Sequence, residues 1–133
     1  MSRKSLCSKI KIGVIHIAKH QRESDIHMIL DKNNKTLLEK YNNFVKNSPY
    51  GHFQQDIRWA DLKAGWESVY FYIEEKGEIR AALSVIYIKD KKVGKNFFYG
   101  PRGPVCDPHH IEDYKKIIEE AKDFAKNNDG FLL

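Results

Sequence analysis

The stretch VYFYIEEKGEIRAALSVIYI at residues 69–88 decides the fold. In it, two runs of β-branched and aromatic residues, the composition that favours strands, flank a polar segment that contains one glycine. This polar segment, Glu75–Glu78, is typical of a hairpin turn. We therefore predict antiparallel strands over 69–73 and 79–88, joined directly by the turn.

The chain on either side of this hairpin extends the sheet. A second turn at 90–95 leads to the aromatic run 96–99, which is predicted to be the third strand of an antiparallel meander. The glycine- and proline-rich residues 100–104 end that strand. Three further short apolar runs are strand candidates: 10–18, 26–30 and 131–133.

Helical periodicity appears both before and after the meander. Apolar residues between 35 and 48 recur every three or four positions, which predicts an amphipathic helix that ends before Pro49. A second, short helix is predicted over 57–65. A long amphipathic helix is predicted over 111–125, with Asp107 as its N-terminal cap.

This order of elements predicts a mixed α/β (α+β) domain, in which helices flank a mostly antiparallel sheet. It resembles half of an acetyltransferase-like (GNAT-type) fold. Residues 1–25 are predicted to be a basic appendage, and residues 26–133 to be the N-terminal part of the domain. Because a strand at 131–133 would leave an unpaired apolar edge, the domain is expected to be truncated at its C-terminus or covered there by a partner chain.

Composition narrows the class of protein. The 41% hydrophobic content argues against disorder, and no apolar run approaches the roughly 20 residues needed to span a bilayer. Cys7 and Cys106 have no CxxC partners, so neither a disulfide framework nor a zinc site is predicted, and a reducing cytosol fits best. The net charge of +5 favours anionic partners, although much of the excess lies in residues 1–22 and is also typical of a solvated arm.

Two motifs carry a more specific signal. The segment SPYGHFQQD at 48–56 is followed by Trp59 and Lys63, and the segment FYGPRGPVCD occupies 98–107. They resemble the S-P-x-G-x-x-x-Q-x…W…K and Y-x-P-R-G-P-V-x-D signatures of the Fem family (FemABX type) of peptidoglycan-bridge aminoacyltransferases. The resemblance covers residues 26–133.

The resemblance implies transfer of an amino acid from aminoacyl-tRNA to a UDP- or lipid-linked muramyl pentapeptide, in the cytoplasm near the inner membrane face. No cofactor is predicted, because the glycine-bearing turn with which acyl-CoA members of the fold bind pyrophosphate is absent. The catalytic residues are unknown, since the acidic and aromatic groups expected in the family would follow residue 133. This chain alone is therefore expected to be inactive.

Lys63 and Trp59 are the first pair of candidate substrate-binding residues. By resemblance, Lys63 contacts the diphosphate of the precursor, and a flexible ammonium group suits a phosphate as a point charge. Lys63 lies four residues after Trp59, which places both on one face of the predicted helix. The alternatives are that Lys63 is only a solvated charge and that Trp59 belongs to the core.

Gln55, Tyr99 and Arg102 complete the candidate substrate-binding set. Gln55 could bind the peptide stem or stabilise the start of a helix. Arg102 in its Pro-Arg-Gly-Pro turn suits phosphate or carboxylate recognition, but it could also pair with Asp107. Gly103 is expected to supply a backbone angle that other residues resist.

Cys106 is a candidate nucleophile, and the neighbouring pair His109 and His110 is a candidate for metal binding. No metal site is predicted, because the adjacent histidines point in different directions and no third soft ligand is near. Cys106 has no positioned base in the sequence, so it is interpreted as a small buried hydrophobe.

Two other functions stay open. The chain could be a non-catalytic binding or oligomerisation module, forming a homo-oligomer through the strand edge at 131–133. A weaker alternative is half of a CoA-dependent N-acetyltransferase, against which the missing glycine turn counts. The sequence does not specify which amino acid is transferred.

Overall fold

The structure is a computed structural model that describes residues 29–132. The predicted basic appendage 1–25, the strand candidate 10–18, Cys7 and Leu133 lie outside the described residues. Of the strand predicted over 26–30, the described part is a single bridge: Ile29 pairs with Phe71, and the backbone N–H of Leu30 donates to the carbonyl of Tyr70 at 2.8 Å.

The predicted hairpin and meander are confirmed. Strand β1 (Glu67–Glu75) pairs antiparallel with β2 (Glu78–Asp90), and β2 pairs antiparallel with β3 (Lys95–Tyr99). In the turn between β1 and β2, Lys76 and Gly77 both have positive φ angles, 53° and 80°. Two consecutive positive φ angles are the geometry of the two-residue turn whose twist matches that of the flanking strands.

Two short strands complete a five-stranded mixed sheet. Strand β4 (Val105–Cys106) pairs antiparallel with Ala81 and Ala82 of β2, and β5 (Gly130–Leu132) runs parallel to β3. The strand order is β1-β2-β3-β5, with β4 on β2 beside β3. The predicted class, a mostly antiparallel mixed sheet flanked by helices, is confirmed.

All three predicted helices are present, but the end of the second and the N-terminal cap of the third differ from the predictions. Helix α1 (Lys35–Asn47) ends before Pro49 as predicted. Helix α2 is shorter than predicted: it covers Ile57–Asp61, after a 3-10 turn at Phe53–Gln55, and the chain beyond it turns through Gly65 at a φ of 84°. The α-helical bonding stops at Asp61, because the N–H groups of Leu62 and Lys63 donate to carbonyls only three residues earlier, as in a 3-10 turn.

Helix α3 (Ile111–Asn127) has His110 at its N-cap position, so the prediction that Asp107 caps it is wrong. The carboxylate of Asp107 instead accepts a hydrogen bond from the backbone N–H of His109 at 2.9 Å. Asp107 therefore stabilises the turn before the helix, and His110 makes no side-chain cap bond.

The two faces of the sheet carry separate cores. Alternate strand residues such as Tyr70, Ala82 and Ile86 face α1 and α2, while their neighbours face α3. This alternation follows from the two-residue period of a strand. Because the central strand β2 is buried on both faces from Ala81 to Ile86, it organises the whole domain.

We expect Ile117→Val to lower the free energy of unfolding by about 1 kcal/mol, because Ile117 is fully buried between α3 and the sheet. The matched control is Ile111→Val in the same helix, where the side chain is 51% exposed and a change within about 0.5 kcal/mol is expected. Urea denaturation of both variants measures the difference. Equal losses would contradict the placement of α3.

Candidate functional site

Strands β3 and β4 leave a gap along one edge of β2. Strand β4 pairs with β2 up to Ala82, and β3 begins to pair with it at Ile86, so residues 83–85 have no strand on that edge. The side chain of Gln55 fills the gap. Its Oε1 accepts from the N–H of Ser84 at 2.7 Å, and its Nε2 donates to the carbonyls of Ser84 at 3.2 Å and Pro101 at 2.7 Å.

Gln55 is thus fully buried, and its amide is occupied by the chain's own backbone. Burial without these partners would cost about 1–3 kcal/mol for each unpaired polar group. Among the predicted site residues, Gln55 is the one least able to reach a ligand. Its hydrogen bond to Pro101 instead connects the first motif to the turn in the second motif.

The Pro-Arg-Gly-Pro turn approaches Gln55 closely. A Cβ atom on Gly103 would lie 2.6 Å from Leu83 Cδ1 and 2.8 Å from the Gln55 amide. The expectation that Gly103 supplies an unusual backbone angle is therefore wrong: Gly103 is needed for close approach, and Arg102 has the positive φ, 59°.

Asp56 anchors the start of α2 directly after Gln55. Its carboxylate accepts from the backbone N–H of Arg58 at 2.8 Å and forms a two-point ion pair with the guanidinium of Arg58, at 3.1 and 2.8 Å. Hydrogen bonding to the Arg58 side chain lowers the pKa of the Asp56 carboxyl, and partial burial opposes that shift. The same interactions fix the start of α2.

Trp59 and Lys63 lie close together as predicted, but the prediction that they share one helix face is wrong, because α2 ends at Asp61. The ammonium of Lys63 lies 5.1 Å from the centre of the Trp59 ring, a cation–π distance, although Lys63 follows the end of α2. Trp59 is half-buried against the core on the α1 face. Lys63 is exposed and has no carboxylate partner among residues 29–132.

Arg102 and Tyr99 lie at the surface on either side of Gly100 and Pro101. Tyr99 is 42% exposed at the end of β3, and Arg102 is exposed in the following turn. In the described part of the chain, Arg102 makes no ion pair, and the alternative pairing with Asp107 is not seen. Its guanidinium is available to an external anion.

The first motif also borders a separate cleft of about 600 Å³. Gly51 lets the motif turn back onto α1, because a Cβ there would lie 2.0 Å from the carbonyl oxygen of Val45. The cleft contains none of the five predicted site residues. Its walls are formed by the end of α1 with Ser48, Pro49 and Tyr50, the β1–β2 turn, and the loop before α3.

Cys106 is buried, as interpreted from sequence. Burial, together with the nearby carboxylates of Asp113 and Asp107, raises the pKa of its thiol, which disfavours the nucleophilic thiolate. Within residues 29–132 no cluster of three or more metal-ligating side chains occurs. No helix in the same range combines the length and apolar character needed to cross a membrane.

Sequence reasoning did not identify Ser84 and Asp56 as site-organising residues. Ser84 is the one polar residue within the apolar run 81–88, and this break in the pattern was the available signal. The structure joins the predicted residues in two groups, Trp59 with Lys63 and Gln55 with the turn that carries Arg102.

Comparisons with known proteins agree with the motifs. The sequence model of the FemAB family matches residues 36–133. The UDP-N-acetylmuramoylpentapeptide-lysine N(6)-alanyltransferase of Weissella viridescens is 36% identical over 94 residues, which are 70% of this chain and 28% of that protein. The lipid II:glycine glycyltransferase of Staphylococcus epidermidis is 29% identical over 97 residues, which are 71% of this chain and 23% of that protein.

A solved structure shows the same architecture. The crystal structure of FemX superposes with a TM-score of 0.66 at 26% identity, over 70% of this chain and 24% of the FemX chain. The chain thus spans about a quarter of the length of these three proteins.

We expect Asp56→Ala to cost about 1 kcal/mol at pH 7 through loss of the α2 cap alone. Asp56→Asn keeps a cap oxygen but loses the ion pair with Arg58. The folded pKa of Asp56 is lowered, so its ionic contribution is present above the unfolded pKa of about 4 and is lost as pH falls through the folded value.

Unfolding by urea at pH 7 and pH 3 tests this assignment. The wild-type protein should lose more stability between the two pH values than Asp56→Asn does, because only the wild type has a carboxylate to protonate at this position. The same pH dependence in both proteins would contradict the ionic role of Asp56.

Proposed function

This chain belongs to the FemAB family, and from that membership we propose that it is part of a peptidoglycan-bridge aminoacyltransferase. The two relatives named above transfer alanine and glycine, to a muramoyl pentapeptide and to lipid II respectively. We propose that this chain contributes to binding a UDP- or lipid-linked muramyl pentapeptide, with aminoacyl-tRNA as the donor and no cofactor.

The observation that supports the proposal is the environment of the Lys63 ammonium group. Its ammonium is exposed, has no carboxylate partner in the described range 29–132, and is held near the Trp59 ring. An exposed cation without a carboxylate partner in that range can pair with an anionic ligand. The diphosphate of the precursor is the matching group.

Arg102 supplies a second candidate cation, with Tyr99 beside it. A guanidinium binds phosphate or carboxylate through two parallel hydrogen bonds, and Arg102 stands in a turn whose backbone is held by Gln55. We propose that Arg102 and Tyr99 contact the charged and polar parts of the precursor. Gln55 would hold the backbone of the turn between them through its bond to Pro101.

The transfer itself is attack of a precursor amine on the ester carbon of the aminoacyl donor, with the tRNA hydroxyl as the leaving group. This step needs positioning, removal of a proton from the amine and stabilisation of the developing oxyanion. None of residues 29–132 is assigned to the last two tasks. We therefore expect binding without turnover from this chain alone, at the inner face of the membrane where the precursor is made.

A second candidate function is oligomerisation, and the exposed strand β5 favours it. Strand β5 is the last strand in the order β1-β2-β3-β5, and its Phe131 is 45% exposed although it packs edge-on against Phe97. An apolar edge strand can pair with a strand of a second copy.

Lys63→Ala should weaken binding of a soluble UDP-linked muramyl pentapeptide by at least about tenfold, because a hydrogen bond to a charged group contributes about 1.5–3 kcal/mol. Isothermal titration calorimetry measures this change. Lys92→Ala is the matched control: it removes an equally charged, exposed lysine from the β2–β3 turn and should leave the affinity unchanged.

Equal loss of affinity in both lysine variants would indicate a general charge effect and would contradict a specific role of Lys63. Absence of binding to a folded wild-type sample would refute precursor binding by this chain and favour the oligomerisation function.

Phe131→Lys tests that second function. If β5 pairs with a second copy, the wild-type chain should sediment as a dimer at micromolar concentration, and the charged edge should shift it to a monomer. A monomeric wild type in analytical ultracentrifugation would exclude this candidate.

A further inference from the structure

We propose that Gln55 is a positioning residue that holds the Arg102 turn in its anion-binding conformation. The positional part of this inference rests on the geometry, and its consequence for ligand binding rests on the proposed function. Gln55 touches no ligand in this role. It acts through the backbone of the turn.

The side-chain amide of Gln55 replaces a missing piece of strand. A carboxamide presents the same donor and acceptor as a peptide group, and Gln55 uses both toward Ser84, as a neighbouring strand would. Water cannot take its place, because Gln55 and Ser84 are both almost completely buried. An apolar side chain of equal length would leave the backbone of Ser84 unpaired.

The turn that carries Arg102 depends on the same amide. Within the turn, the hydrogen bond from the N–H of Gly103 to the carbonyl of Gly100 is long, at 3.4 Å. The bond from Gln55 Nε2 to the carbonyl of Pro101 is 2.7 Å, so it is the firmer restraint. The φ of 59° at Arg102 is unfavourable for a side-chain-bearing residue and needs such a restraint.

Gln55 also relates the turn to the other candidate cation. The residue after it, Asp56, caps α2, and α2 carries Trp59 beneath the Lys63 ammonium. The two motif segments are therefore connected through one buried side chain.

Hydrogen exchange tests the positional claim without any ligand. Gln55→Met keeps the length of the side chain and removes its amide, and Gln54→Met is the matched control, since the Gln54 side chain makes no hydrogen bond within residues 29–132. In Gln55→Met, exchange at the hydrogen-bonded N–H groups of Ser84 and Gly103 should rise about tenfold relative to that of buried α3 amides. Unchanged exchange at these two amides would overturn the proposal.

Gly103→Ala is the second variant if Gln55→Met does not fold. Its added methyl group would press against the Gln55 amide, so the N–H groups of Ser84 and Gly103 should again exchange faster. A normal exchange pattern in a folded Gly103→Ala sample would likewise overturn the proposal.

Titration with the UDP-linked muramyl pentapeptide tests the consequence for binding. Gln55→Met and Arg102→Ala should each weaken binding, and the double variant should be no weaker than Arg102→Ala alone, because Gln55 acts through Arg102. A merely structural role would give losses that multiply, and this result would overturn the proposal. If the wild type does not bind, the proposed function fails, and hydrogen exchange alone decides the positional claim.

Discussion

The pairing of the Gln55 amide with Ser84 and Pro101 is the interaction on which the rest of this architecture depends. A central strand that is buried on both faces must have its backbone groups paired along both edges. Strand β2 meets this requirement with β1 on one edge, and with β3 and β4 on the other. A side chain occupies the interval between β3 and β4, which leaves room there for the turn that carries Arg102.

This arrangement explains why the two motifs belong together. The first motif leaves α1, turns at Gly51 and delivers Gln55 to the sheet, and the second motif leaves β3 and crosses the gap that Gln55 fills. One glycine of each motif is required for close approach: Gly51 to the carbonyl of Val45, and Gly103 to the Gln55 amide. The match to the FemAB family covers residues 36–133 and therefore includes both motifs and the contacts that connect them.

The two faces of the sheet differ in whether candidate site residues lie on them. Helix α3 covers one face with an apolar stripe and carries none of the candidate site residues. Helices α1 and α2 cover the other face, and the first motif lies between them with Lys63 just after α2. The two candidate cations, Lys63 and Arg102, thus lie on short loops beside a packed sheet, the usual division between scaffold and site.

The sequence by itself determined the local elements of this protein: the hairpin at 69–88, the third strand, α1 and the extent of α3. Residue periods of 2 and 3.6 and the turn-forming residues are short-range properties that can be read along the chain. The motifs also identified the family. The end of α2 and the cap of α3 could not be read in this way, because they depend on which hydrogen bonds form after Asp61 and around Asp107.

Only the tertiary structure decided how the site is assembled. Gln55 is separated by 29 residues from Ser84 and by 46 from Pro101, and nothing in the local pattern of either segment specifies that contact. The same holds for Gly103, whose requirement for glycine comes from the distant Leu83 and Gln55 rather than from its own backbone angle. Such contacts arise when packing brings separate segments together, and the burial that makes them necessary exists only in the folded chain.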